Sequence, residues 1–251
     1  MPVKISAVLI TRNGGPYFQQ CLDSLGFADE IVVLDSGSTD DTVAIAEKAG
    51  ARVFFSEDWP GFGPQRQRAQ EYARGEWLFW VDTDEVVSDA LADSIQAVIN
   101  QDAKHTVYQV KRLSWFFGQF IRHSGWYPDK VVRLYRRDEY AYDSAIVHEK
   151  VDCVGASVHT LDGDLLHYTA TDFLDYMTKS VRYANDWAEG KARKGKRATL
   201  LSAWLHGVGA FLRKYIVRLG FLDGKHGLLL AIITGYYVFN KYAALWVKTR
   251  H

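Results

Sequence analysis

The chain has 251 residues, 48% of them apolar and 24% charged. These globular proportions exclude a disordered, collagen-like or polytopic membrane chain and bound it to one large α/β unit or a domain with an appendage. Thirty basic and thirty acidic side chains sum to zero, which taken alone argues against a nucleic-acid binder.

That sum hides a split. Residues 1–178 carry 16 basic and 27 acidic groups, net −11, whereas residues 179–251 carry 14 and 3, net +11. Such asymmetry marks a basic tail suited to a polyanionic surface, membrane or nucleic acid. Cys21 and Cys153 have no CxxC spacing and fit a reducing cytosol. The opening run at 3–10 passes into Thr11-Arg12-Asn13-Gly14-Gly15 without a small-residue cleavage site, so it reads as a first strand and no export is expected.

Short apolar runs at 3–10, 31–34, 53–55 and 77–81 alternate with helical stretches at 17–25, 41–49, 64–74 and 88–100. This βα rhythm predicts a parallel sheet. In such sheets ligands bind beyond the carboxyl ends of the strands, and there the sequence is polar and Gly-rich: Thr11 to Gly15, then Asp35-Ser36-Gly37-Ser38-Thr39-Asp40, then Asp82-Thr83-Asp84-Glu85. From about residue 108 to 168 the texture changes to short strands at 107–112, 130–135 and 165–168, mixed with aromatic loops. Trp115, Phe116, Phe117, Trp126 and Tyr127 cluster there with His123, a composition suited either to stacking on a sugar or base or to a core under a long loop.

Asp82 and Asp84 step off a buried run, 77–81, two residues apart. Carboxylates so placed can present oxygens to one hard cation, and Mg²⁺ or Mn²⁺ takes one or two carboxylates plus phosphate oxygens. A bare DxD can also be a solvated turn or N-cap; the strand context favours the phosphate–metal site. Asp35 ends another strand and can accept from a base N–H or a ribose hydroxyl, while Thr39 or Asp40 can cap the following helix.

These residues together resemble the family 2 glycosyltransferases of the GT-A fold. The resemblance runs through residues 6–13 and 32–40, Gln65-Arg66-Gln67 with 73–78, and Val81-Asp82-Thr83-Asp84. The longer pattern at 61–69, at 129–137, Val147-His148-Glu149 and 220–227 is similar to the subgroup that adds glucose to an inner-core heptose of lipopolysaccharide. It implies that Thr11, Asn13 and Asp35 hold the nucleotide, that Arg66 approaches the donor, and that Asp82 lies near ribose and sugar. Asp84, with Asp82, would bind the metal bridging the diphosphate. Gln67 stands where Asn is usual and Ser36 where a second Asp is usual, leaving Asp35 alone in the base-reading role.

An inverting transfer needs a base within reach of the acceptor hydroxyl. Glu149 of the His148-Glu149 pair is the first candidate and Asp129 the second. His167 is a further candidate metal ligand or an ordinary strand histidine. Arg133 and Arg136, with Arg137, suit phosphates on donor or acceptor or protect a strand edge; Trp126 is assigned to the acceptor side.

From residue 171 the chain reads as helix, with breaks near 190–195 and 220–227. Apolar residues between Leu200 and Leu219 recur at helical spacing with Arg213, Lys214 and Arg218 off the stripe, the pattern of a basic amphipathic helix; a helix packed on the catalytic domain would look similar, and the cations and Trp204 favour a membrane surface. The mainly apolar run of twelve residues at 228–239 spans about 18 Å, short of the ~30 Å hydrocarbon core, so a monotopic or helix-packed anchor is expected rather than a spanning one.

The expected architecture is α/β: a GT-A, Rossmann-like catalytic domain at 1–170 with a mostly parallel sheet flanked by helices, its nucleotide-sugar half at 1–100 and acceptor half at 101–170, followed by a helical membrane-associating extension at 171–251. The expected reaction moves a hexose, glucose from UDP-glucose, to a glycolipid with Mg²⁺ or Mn²⁺, at the cytoplasmic face of the inner membrane. Residues 191–247 would meet an anionic membrane surface, and no nucleic acid is expected as partner. A polyprenyl phosphate or protein acceptor, a nucleotidyltransferase and a non-catalytic adaptor are the rival readings.

Overall fold

The computed structural model describes residues 3–101 and 104–250. In chain order the first part gives β1 (Ile5–Thr11), α1 (Phe18–Asp23), β2 (Glu30–Asp35), α2 (Thr42–Lys48), β3 (Arg52–Phe55), α3 (Phe62–Tyr72), β4 (Trp77–Trp80), β5 (Glu85–Val87) and α4 (Asp89–Ile99). There follow β6 (Thr106–Phe116), β7 (Gln119–Phe120), β8 (Asp129–Arg136), β9 (Ser157–Ala170), α5 (Phe173–Arg193), α6 (Leu200–Leu212) and α7 (Gly224–Thr249). Two compact units result: residues 1–112 with 129–168, and residues 113–128 with 169–251. Residues 113–128, expected in the catalytic part, thus belong with the helices.

The sheet order is β3-β2-β1-β4-β8-β6-β9-β5, with β7 paired to β6. In the first unit β1 to β4 are parallel, as their βα rhythm predicts; β8 runs antiparallel to β4 and to β6, and β5 antiparallel to β9. The sheet is therefore mixed rather than parallel throughout. Side chains alternate across a strand, and Ile5, Ala7, Leu9, Trp77 and Phe79 pack on α1 and α4 through Phe18, Leu22, Leu91 and Ile95. Val8, Ile10, Leu78 and Trp80 form the opposite core with Ala69 and Ala73 at α3. With both faces covered, all seven β1 residues are buried, which explains the uninterrupted apolar reading of these strands. In register, Thr11 lies opposite Asp35, so the ends of β1 and β2 and the loops beyond them share one edge.

The second unit is built on α5, α6 and α7, with a core of Phe116, Ile121, Ala170, Leu230 and Ile233. Gly207 on α6 and Gly235 on α7 allow close crossing: a Cβ on either would lie 3.0 Å from the other's carbonyl oxygen. Buried Asp223 accepts from the backbone N–H groups of Arg122 and His123 and from Ser124 Oγ. A side chain on Gly227 would collide with the Gly220 carbonyl, so the 220–227 segment is a clasp that holds residues 122–124 against the start of α7.

Two tail expectations are corrected. α5 continues through Gly190, and the break falls between Arg193 and Leu200. α7 does not stop at Asn240 but runs 26 residues, about 39 Å at 1.5 Å per residue. The stretch Gly220–Thr249 is, by length and composition alone, long and apolar enough to cross a membrane.

Candidate active site

At the carboxyl end of β4, Asp82 is gripped from two sides. Arg66 Nη2, from α3, donates to Oδ1 at 2.7 Å, and Arg133 Nη2, from β8, donates to Oδ2 at 2.6 Å. Burial alone would raise this carboxyl, but Arg133 and Arg66 outweigh it and hold Asp82 far below the usual carboxylate range. Burial would likewise lower both guanidinium groups, and Asp82 overrides it in each. Arg66 also lies over the Tyr142 and Trp80 rings, 4.9 and 5.4 Å from their centroids, which fixes its plane.

The network extends both ways. Arg66 Nε donates to Glu149 Oε1 at 3.0 Å, and Arg133 Nη2 donates to the fully buried Glu85 at 2.8 Å. Glu85 also accepts from the Asp82 backbone N–H at 2.9 Å, and Arg112 approaches Glu85 at 3.5 Å while donating to Asp129. Carboxylate and guanidinium alternate along this chain, so each buried charge meets its opposite. Glu85 and Arg112 were not among the sequence candidates. Adjacency to Asp84 was the available signal for Glu85, and position at the end of the 107–112 run the signal for Arg112.

A cavity of about 690 Å³ opens beside this network, lined by Arg66, Asp82, Arg112, Lys130, Arg133, Tyr142, His148, Glu149 and Lys150 among others. Lys130 and Lys150 add two cations there to the three arginines that the network's carboxylates already pair.

Asp84 diverges from Asp82. β5 pairs with β9 so that Glu85 lies opposite His167, and this brings His167 Nε2 to 3.4 Å from Asp84 Oδ2. Both oxygens of Asp82 are held by arginines, whereas Asp84 is paired with His167. His167 Nδ1 is buried and has no hydrogen-bond partner among the described residues, and no cluster of three or more His, Cys, Asp or Glu suited to a metal occurs among them. Asp84 would supply a carboxylate oxygen and His167 an imidazole nitrogen to a divalent cation, the carboxylate being the ligand type that hard cations favour.

The β1 and β2 loops are stitched together. Asn13, at φ 57°, donates its backbone N–H to Ser38 Oγ and accepts from Thr39 N. Asp35 accepts from Gly37 N, Ser38 N and Ser38 Oγ, so its carboxylate organises its own loop as well as ending β2. Thr11 Oγ1 beside it is buried and has no partner among the described residues.

The remaining expectations fall elsewhere. Arg136 lies opposite Trp77, at the start of β4 and the far end of the strand from Asp82. It stacks over the Trp77 ring and faces Glu76, so its phosphate role is corrected to a structural one. Trp126 packs against Phe116 in the second unit's core, with Lys214 over its ring. For Trp126, Phe116 and Phe117 the core reading of the aromatic cluster holds. Asp129 is taken by Arg112 through Nε and Nη2.

The family model for glycosyl transferase family 2 matches residues 6–157. The chain belongs to this family. Its sheet and flanking helices are the GT-A arrangement. An uncharacterized glycosyltransferase of Rickettsia conorii is 30% identical over 92% of this chain and 85% of its own. The lipopolysaccharide core biosynthesis glycosyltransferase LpsC of Rhizobium meliloti is 28% identical over 95% and 93%. A solved structure of glucosyl-3-phosphoglycerate synthase from Mycobacterium tuberculosis, in complex with Mn²⁺, uridine diphosphate and glucosyl-3-phosphoglycerate, is 28% identical with a TM-score of 0.36, covering 46% of this chain and 45% of that one.

Proposed function

We propose that this family 2 glycosyltransferase is an inverting hexosyltransferase that moves glucose from UDP-glucose to a glycolipid, the heptose of a lipopolysaccharide inner core, at the cytoplasmic face of the inner membrane. The observation that carries the reading is the divergence of Asp82 and Asp84 at one strand end: Asp82 faces two arginines beside the cavity and Asp84 faces His167. Likeness to LpsC along nearly the whole chain supports the acceptor class.

Thr11, Asn13 and Asp35 hold the nucleotide, with the free Thr11 hydroxyl as a donor to it. Arg66 and Arg133 fix Asp82 toward ribose and sugar. Asp84 and His167 would hold Mg²⁺ or Mn²⁺, which when bound supplies positive charge to the departing diphosphate. Glu149, oriented by Arg66, takes the acceptor hydroxyl proton while that oxygen forms a bond to the anomeric carbon and the carbon–oxygen bond to UDP breaks, inverting the centre. The helical unit seats on the membrane: Leu201, Trp204, Leu205, Ile216, Val217 and Leu222 are exposed among its cations.

The test incubates the full chain with Mg²⁺ or Mn²⁺, a panel of UDP-, GDP- and ADP-sugars and truncated lipopolysaccharide, and weighs the products. A hexose added to the acceptor with release of UDP is expected. Asp84→Ala should abolish turnover with the fold intact, and saturating chelator should do the same to the wild type. Full activity under either condition would sink the metal role, release of pyrophosphate would mean nucleotidyl transfer, and failure of every nucleotide sugar to bind or react would overturn the assignment.

A further inference from the structure

The helical unit holds a second cavity, of about 610 Å³, whose walls include Arg213 and Lys214 from the π-helical turn after α6, Arg218 just beyond that turn, Lys241 from α7, and Gly209 from α6. That volume suits a small-molecule headgroup. No carboxylate lines it, and among the described residues none of these four cations is ion-paired. The two lysines rest on aromatic faces: Lys214 lies 5.6 Å from the Trp126 centroid, and Lys241 lies 4.4 Å from that of Trp187 and 5.3 Å from that of Tyr237.

Burial first, and then a neighbouring like charge, disfavours the charged form of both lysines. Burial, then Arg218, pushes Lys214 down to about 8; burial, then Lys191, lowers Lys241. Asp223, the buried carboxylate of this unit, is engaged by the Arg122 and His123 backbone and by Ser124 Oγ. Four cations around a cavity without an anion describe a site complementary to a multiply charged oxyanion, and guanidinium groups match the tetrahedral oxygens of phosphate. The surroundings choose the carrier. Leu212, Ile216, Val217 and Leu219 lie among the same cations and are exposed, so a bilayer that took up these side chains would set its headgroups beside the cavity.

We propose that the cavity walled by Arg213, Lys214, Arg218 and Lys241 binds the phosphate group of an anionic membrane lipid. This inference rests on the membrane-seating part of the functional reading and is independent of the sugar-transfer part.

Gly209 gives a test that leaves charge untouched. A Cβ there meets nothing within 4 Å, so Gly209→Leu fills the cavity without disturbing the Gly207–Gly235 crossing. A second variant is Lys214→Gln/Arg218→Gln. Its charge-matched control is Lys194→Gln/Lys196→Gln, at exposed positions in the loop after α5. Each full-length protein is floated with phosphatidylcholine vesicles containing phosphatidate, or oleate at equal surface charge, and titrated calorimetrically with inorganic phosphate. Helicity and melting are followed in parallel.

The wild type and the control should prefer phosphatidate to oleate at least tenfold, and both cavity variants should lose that preference while remaining folded. Inorganic phosphate bound by the wild type and not by the cavity variants would assign recognition to the phosphate alone, whereas binding confined to vesicles would assign it to a headgroup at the surface; either supports the site. Preference retained in both cavity variants, equal loss in the control, no preference in the wild type, or phosphate binding without binding to any vesicle would overturn the proposal. Transfer of sugar is measured separately, so its failure leaves this outcome readable.

Discussion

Asp82 shows how much a site depends on what a carboxylate faces rather than on its spacing from a neighbour. Only Thr83 separates it from Asp84, yet Asp82 turns inward to Arg66 and Arg133 while Asp84 approaches His167. The spacing was legible in the sequence; the divergence was not, because it depends on an arginine from α3, another from β8 and the β5–β9 register. Glu85 was illegible for the same reason, since nothing local announces that an acid at a strand start will be fully buried against two distant arginines. The arginines depress the Asp82 pKa on folding. A depressed carboxyl contributes stability that is fully present above its unfolded value, about 3.9, and that is lost as pH falls from there toward the folded value. Asp82→Asn should therefore be less stable than the wild type by about 3 kcal/mol at pH 7, and the gap should narrow as pH falls below about 4. Denaturant titrations of both proteins between pH 3 and pH 7 measure it; a gap that widens toward low pH contradicts the assigned ion pairs.

Among the elements, those with a clean period were readable and those fixed by distant pairing were not. β1 to β4 and α1 to α4 fall where apolar runs and helical stretches alternate, because strands covered on both faces must be apolar throughout. The antiparallel direction of β8 has no such signature, nor does the membership of residues 113–128 in the helical unit, where Phe116 and Ile121 pack on Leu230 and Ile233. α3 also carries a constraint visible only in three dimensions. Its Phe62 and Gly63 N–H groups donate to the carbonyls of Ile146 and Ala145, and a Cβ on Gly63 would sit 2.1 Å from the Asp143 carbonyl oxygen. The loop held there leads directly to Glu149. Gly63→Ala must push this backbone aside, destabilising the protein by about 2 kcal/mol and lowering kcat by about tenfold or more through displacement of Glu149. Thermal melting and steady-state kinetics check it together; an unchanged kcat would mean that Glu149 is not the base or that the loop position does not govern it.

At the scale of the molecule, zero net charge is the least informative number in the sequence. Divided by compact unit, the first carries 15 basic and 25 acidic side chains and the second 15 and 5, net −10 and +10. The acidic unit nevertheless concentrates five cations around its cavity, and the basic unit exposes a run of large apolar side chains between Leu200 and Leu222. Two attractions of different range would then act on the membrane-seated chain: Coulomb attraction of the basic unit to anionic headgroups, worth roughly 1 kcal/mol per cation near the surface, and burial of apolar side chains, which salt does not screen. The Debye length shrinks from about 10 Å at 0.1 M to about 3 Å at 1 M. Flotation of the full chain with anionic vesicles should therefore weaken by about tenfold or more over that salt range and level off above zero. Release of all protein by salt would mean that the apolar face does not enter the bilayer, and salt-independent binding would mean that the +10 unit contacts lipid through something other than its charge.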